Sequence, residues 1–420
     1  MSDIKRHTRK NIQEKAYYYL ILLLAFSIPL QKKVTVLLIA LIVLNWLVEF
    51  NFREKYRRVR ESRVRQYNLL FAVLYVLFVI GMFYSDNLYG GAGAWFKLEV
   101  KGSLLVFPLL FSTIDYQWPD KAYVQKLFNF FIIGSVVSCL FCIGNALILY
   151  MGDYHFEVFY YKELSMFHHP SYMAMYITFA VVIILYNMMN KWSSYGLNWK
   201  IGWLVLLVFY NVFIITLASK AGIISLGLVY GIAITYAFAR KRYKLSGIFG
   251  LLLLALLSLY MFFPYSYNRM TVARAAVEQD KLDNNSTEGS VLRMLIWKSS
   301  FEILQDHFFT GVGTGDVEDA LVQKYDEKGI SMAVEQKLNA HNQYLQTWLA
   351  IGLPGLLTLL LMLFLPAWQA FRKYNLVYFL FLFIIGFNFI FESMLEAQSG
   401  VVFYAFFNAF LFVTKDKMEA

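Results

Sequence analysis

"LFNFFIIGSVVSCLFCIGNALILYM", Leu127 to Met151, runs for 25 residues without one Asp, Glu, Lys or Arg. An uncharged stretch of that length crosses the roughly 30 Å hydrocarbon core of a bilayer as an α-helix, because a helix satisfies its own backbone polar groups where no water is available. Similar stretches recur on either side, near 16–31, 34–50, 69–85, 103–114, 171–189, 201–219, 221–239, 245–267, 349–371, 376–395 and 401–414, the one at 103–114 being short. The sequence therefore predicts an all-α polytopic membrane protein with about 12 transmembrane helices. Composition agrees: 59% of the 420 residues are hydrophobic and 16% charged, more apolar surface than a water-soluble globule of this length could hide. Cys139 and Cys142, inside the quoted stretch, read as packing residues, since one pair three apart makes neither a metal site nor a disulfide framework.

Orientation follows from Lys and Arg, which stay on the cytoplasmic side of short loops. "MSDIKRHTRKNIQEK" at the start, "NFREKYRRVRESRVRQYN" at 51–68, "RKRYK" at 240–244, Arg372 with Lys373, and "KDK" at 415–417 share one face if every stretch crosses. Both termini are then expected to be cytoplasmic. The first stretch lacks a small-residue cleavage site and reads as a retained anchor. The formal net charge of +10 is on this reading a topology signal rather than a sign of nucleic-acid binding. Arg53 to Arg65 could also meet the anionic headgroups of membrane lipids.

One break is long. Residues 1–267 hold nine predicted helices, 268–348 form a largely helical loop on the outer face, and 349–420 hold three more helices and the cytoplasmic C-terminus. The loop begins "NRMTVARAAVEQDKLDNNSTEGS", with Arg269 and Arg274 just outside the ninth helix. In "SVLRMLIWKSSFEILQDHFF", Leu292, Leu295, Ile296, Ser299 and Ile303 recur at helical spacing while Arg293 and Trp297 share a neighbouring stripe, the pattern of an amphipathic helix. "TGVGTGDVEDALVQKYDEKG" follows, its glycines ending one helix and Asp316 placed to cap the next. Gly313 and its neighbours make either a tight turn or an anion cradle of loop amides. The chain returns to the membrane as "NAHNQYLQTWLAIGLPGLL", with Asn339 as a candidate cap and His341, Leu345 and Trp348 aligned at i, i+4 and i+7.

The ordered set "SVLRMLIW", "TGVGTG" and "AHNQYLQTWLAIGLPG" resembles the signature of the O-antigen ligase and O-antigen polymerase superfamily of bacterial inner-membrane glycosyltransferases. "FHHPSYMAMY" at 167–176, "LASKAGIISL" at 217–226 and "NFIFESMLEAQSGVVFYAFF" at 388–407 also resemble family segments, so the resemblance covers roughly residues 70–415, sparsely between motifs. The chain departs from it at Lys220, where many members carry arginine, so that a bidentate clamp on phosphate becomes a point charge. What the resemblance implies is transfer of a glycan from undecaprenyl diphosphate to an acceptor hydroxyl on the periplasmic face, without a nucleotide sugar, cofactor or essential metal.

On that implication each polar residue of the outer face takes a candidate role. The acceptor proton must be removed, and imidazole suits that task near neutral pH, which makes His341 the candidate general base. The departing diphosphate needs fixed cations, for which Lys220, Arg293 and Arg274 or Arg269 are at hand. Asn342 and Tyr344 are candidates to orient substrate. His169 precedes Pro170 and either starts its helix or touches substrate. Glu392 and Glu396, acids in apolar surroundings, either anchor an arginine of the site or contact acceptor sugar, with direct catalysis a further option. The remaining histidines lack metal-ligand spacing. A ligase acting on a lipid A core sugar stands first, followed by a polymerase with a lipid-linked repeat as acceptor and by transfer to protein. A transporter or lipid-glycan flippase is the alternative from another class; it should show repeat symmetry and polar sites near the midplane.

Overall fold

Residues 2–61, 65–91, 93–114, 120–153, 155–263, 284 and 289–415 are described by a computed structural model. Among these residues the regular elements are all helical. They run α1 (Ser2–Ser27), α2 (Lys32–Val48), α3 (Phe52–Glu61), α4 (Arg65–Met82), α5 (Ala94–Lys101), α6 (Ser103–Thr113), α7 (Lys121–Asp153), α8 (Tyr161–Leu164) and α9 (Pro170–Lys191). There follow α10 (Leu197–Thr216), α11 (Lys220–Ala239), α12 (Tyr243–Phe262), α13 (Gly289–Asp306), α14 (Val317–Glu327), α15 (Ser331–Glu335), α16 (Gln343–Arg372), α17 (Leu376–Asn388) and α18 (Gln398–Thr414). Each apolar stretch expected to cross has its main part on one of these helices, but the stretch 376–395 stops being helical at Asn388, and residues 264–267 lie outside the described ones. By length and apolarity, six are long enough to span a bilayer, and α4, α17 and α18 are shorter apolar helices.

Sequence polarity sorts the helices by depth. α9 and α18 are apolar on every side and are almost wholly buried, whereas α2 and α12 bury only a few of their apolar side chains, as a helix facing lipid does. In hydrocarbon there is little gain from hiding apolar surface between helices, so close packing and interhelical hydrogen bonds must hold them together. Phe131 of α7, Phe179 of α9, Phe381 of α17 and Phe407 of α18 interlock with ring centroids between 4.8 and 6.1 Å apart. Such aromatic pairs contribute about 0.5–1.5 kcal/mol each beyond their area. Tyr230 of α11 donates to Asn211 Oδ1 of α10 at 2.9 Å, and Asn211 Nδ2 donates to Leu252 O of α12 at 3.1 Å. Cys139 and Cys142 are buried and unbridged, consistent with packing.

The two ends of the bundle differ. At one end Arg58 donates to Thr113 O at 2.9 Å, Arg240 lies over the ring of Tyr374, and Lys415 reaches Gln369, so the basic stretches gather as their charge pattern predicts. α3 turns there by 106° from α2. At the other end lie the starts of α9, α11, α16 and α18 and the turn that follows α17. The helix expected from residue 349 begins earlier, at Gln343, and is broken at Ile351 and Gly352 (φ 68°). A Cβ at Gly352 would strike the Phe309 carbonyl, and Pro354 follows, so the break has an identifiable cause.

Candidate functional site

The return segment ahead of α16 is pinned before it becomes helical. His341 has a φ of +42°, in the left-handed region that costs a non-glycine residue about 1–3 kcal/mol. Local bonds hold it there: His341 N donates to Asn339 Oδ1 at 2.9 Å, Ala340 N to Gln346 Oε1 at 3.1 Å, and Trp297 Nε1 of α13 to Ala340 O at 3.1 Å. The expected alignment of His341 with Leu345 and Trp348 on one helix face is therefore corrected, because His341 precedes the helix. The cap is corrected too: Asn342, not Asn339, accepts from Leu345 N at 3.1 Å. Tyr344 spends its hydroxyl on Gly386 O of α17 at 2.9 Å.

Freed from the helix, the His341 ring meets a residue far along the chain. Its Nδ1 lies 3.1 Å from Glu392 Oε1, and Arg293 NH2 of α13 lies 3.6 Å from Glu392 Oε2. The amphipathic reading of α13 explains the reach: Leu292, Leu295, Ile296, Ser299 and Ile303 are buried, which turns Arg293 and Trp297 toward the start of α16. Burial opposes the charge on Glu392, but the hydrogen bond and charge of His341, with Arg293 and His169, outweigh it and hold the carboxyl below its ordinary value. In the tautomer whose proton is on Nδ1, the ring donates to Glu392 and turns Nε2 away from it.

His169 and Lys220 border the same end. His169 caps α9, its Nδ1 accepting from Ser171 N at 3.4 Å. Burial lowers its affinity for a proton, partly offset by the charge of Glu392, while His341 and Arg293 add to the lowering, so the structure brings His169 within electrostatic reach of all three. Lys220 begins α11 and donates to Ser290 Oγ at 2.9 Å, tying its ammonium to the first turn of the helix that carries Arg293. Arg269 and Arg274 lie outside the described residues.

The glycine turn has the geometry of a tight turn, the first of its two expected forms. The amides of the glycine turn are all engaged: Val312 N with Leu349 O (2.7 Å), Gly313 N with Ala350 O (3.2 Å), Thr314 N with Gly81 O (3.2 Å) and Gly315 N with Ser85 Oγ (2.9 Å). Leu349 and Ala350 offer these carbonyls because α16 breaks just after them, so the turn plugs the break and leaves no cradle for an anion. Gly313, with φ +111° and Ser85 Oγ only 2.6 Å from where a Cβ would stand, is part of this plug. Asp316 does not cap its own helix with its side chain; the carboxylate accepts from Asp86 N and Asn87 N at 2.9 and 2.8 Å.

Glu396 departs from its neighbour Glu392. It bridges two lysines of α5, Lys101 at 2.7 Å and Lys97 at 3.4 Å, so among the described residues its partners are lysines rather than an arginine. Burial raises its carboxyl, and the two lysines more than reverse this, leaving it below the ordinary value. Sequence reasoning missed Lys97 and Lys101, although two lysines one turn apart beside a short apolar stretch are a signal that something pairs with them. It also missed Ser393, whose Oγ accepts from Asn342 N at 3.2 Å, and Gln343, whose Oε1 accepts from Leu395 N at 2.6 Å. Among the described residues no group of three or more His, Cys, Asp or Glu is arranged to hold a metal ion.

Residues 203–360 match the family model described as O-Antigen ligase. The chain has no match among curated proteins. The matched stretch carries Lys220, Arg293, Gly313, His341, Asn342 and Tyr344, while His169, Glu392 and Glu396 lie beyond it. The resemblance to the O-antigen ligase superfamily thus rests on a family comparison as well as on motifs, and it supports a ligase- or polymerase-type function on lipid-linked glycans in a membrane.

Proposed function

We propose that this chain is an O-antigen ligase-type glycosyltransferase of the bacterial inner membrane, taking a glycan from undecaprenyl diphosphate and joining it to a hydroxyl of an acceptor such as a lipid A core sugar. The observation that carries the reading is the chain of contacts from Arg293 through Glu392 to His341 Nδ1, at the bundle end remote from the basic loops. Glu392 holds the ring, and His341 Nε2 takes the proton of the acceptor hydroxyl as its oxygen bonds to the anomeric carbon. The bond from that carbon to the phosphate oxygen breaks, its electron pair leaving with the lipid diphosphate. Arg293 and Lys220 stabilise the charge that develops there. Both termini are cytoplasmic and this end is periplasmic, because only that orientation leaves the basic loops inside.

Deletion of the gene, followed by analysis of surface glycans and lipid-linked intermediates, tests the reading. Complete polymer stranded on undecaprenyl diphosphate is the expected result. Surface glycan limited to one repeat would instead assign a polymerase, which uses the same donor. Loss of surface glycan with the donor trapped on the inner leaflet would assign a flippase.

A further inference from the structure

Lys97 and Lys101 stand one turn apart on α5, a helix outside the family match and without a part in the chemistry above. Both oxygens of Glu396 are taken: Lys101 Nζ donates to Oε1 at 2.7 Å and Lys97 Nζ lies 3.4 Å from Oε2. The Lys101 side chain is 1% exposed, and its ammonium also lies 4.7 Å from the centroid of the Phe78 ring of α4. A buried ion cluster adds little net stability compared with apolar packing of the same volume. What it supplies is geometry, since a carboxylate gripped from two sides by one helix can neither slide along it nor roll.

The gripped residue belongs to the turn between α17 and α18 that also carries Glu392. On its other side this turn is tied to the start of α16, through Asn342 N to Ser393 Oγ, Leu395 N to Gln343 Oε1, and Gln343 N to Phe389 O at 2.7 Å. Those bonds fix its height against α16. The α5 lysines tie the same turn to a second element, four residues from Glu392.

We propose that the Lys97–Lys101–Glu396 cluster is a positioning device for glycan transfer, holding the turn so that the Glu392 carboxylate stays on His341 Nδ1. The inference rests on the reading of His341 as base. A displacement of about 1 Å in a positioned catalytic group costs about 100-fold in rate, which sets the scale of the effect.

The test is a double-variant cycle in single-turnover transfer from purified lipid-linked donor, with donor binding and thermal unfolding measured on the same proteins. Lys101→Met should lower turnover about 100-fold with donor binding unchanged, and Lys101→Arg should restore most of it. In a Glu392→Gln background Lys101→Met should cost less than about threefold, because its effect passes through Glu392. An equal loss in both backgrounds, or full turnover by folded Lys101→Met, overturns the proposal. Should Lys101→Met fail to fold, Lys97→Met, at a side chain 16% exposed, decides by the same cycle. His341→Ala separates the two claims: full turnover there removes the base and this inference together, whereas an inactive His341→Ala with independent losses in the cycle removes the positioning role alone.

Discussion

The turn between α17 and α18 carries two glutamates whose surroundings diverge. Glu392 meets His341 at 3.1 Å and Arg293 at 3.6 Å, partners whose side chains keep 23% and 28% of their surface exposed. Glu396 meets Lys101 at 2.7 Å, a side chain with 1% exposed, and Lys97 at 3.4 Å. The first cluster is open to a ligand and built from groups that can carry a proton or a phosphate. The second is sealed, and its cations are spent on one carboxylate. One residue type, four positions apart, thus sits in a partly open cluster in one case and a sealed one in the other, and on the proposed function the first serves chemistry and the second architecture.

If the open cluster performs the chemistry, His341→Ala should lower single-turnover transfer by about 100- to 10,000-fold, with donor binding and thermal unfolding close to wild type. Near-normal turnover would make the contact with Glu392 a structural one, like that of Glu396, and the comparison would collapse. Next in size, Arg293→Ala and Lys220→Ala should each cost about 100- to 1,000-fold, the range for losing a group that stabilises developing charge. Lys220→Arg should keep most of the activity, because the required property is positive charge; equal loss with Ala and Arg would mean that position 220 acts by packing.

Stability should reverse the ranking. Glu396→Gln leaves Lys101 buried without its countercharge and should destabilise by about 3–5 kcal/mol, whereas Glu392→Gln should cost less, because the partners it leaves, His341 and Arg293, are partly exposed. Unfolding of the two variants at the same temperature would erase the distinction between sealed and open. The smallest effect expected is on acid sensitivity. Both carboxyls are held below the ordinary value of 4.5 when folded, so each contributes stability that is complete above that value and is lost as pH falls through the folded one. Thermal unfolding followed from about pH 7 to about pH 3 should decline at the acid end, less steeply in Glu396→Gln. A decline of wild-type steepness in that variant would show that Glu396 is not charged in the folded protein.

Much of the fold is legible in the sequence because the signals are local. A run such as Leu127 to Met151 has one low-energy arrangement in hydrocarbon, whatever its neighbours, and the spacing of Leu292, Leu295, Ile296, Ser299 and Ile303 specifies the buried face of α13 without reference to anything else. Lys and Arg placement groups the loops by the same kind of one-residue rule. The candidate site residues His341, Arg293 and Lys220 could be named because the segments that carry them resemble family motifs; their polarity at the end of an apolar run marks them out but assigns no role.

What only the tertiary structure decided are the pairings, because they join residues far apart in the chain. Glu392 and His341 are separated by 51 positions and Lys101 and Glu396 by 295, and no periodicity links residues at such distances. The glycine turn is a further case: as sequence it is a tight turn or a phosphate cradle, and only the carbonyls of Leu349 and Ala350, released by the break in α16, show where its amides go. The positive φ of His341 follows from the same cause. A local rule prefers the helix to begin one turn earlier, and it is the bonds from Asn339, Gln346 and Trp297 that hold the residue out of the helix and turn its ring toward Glu392.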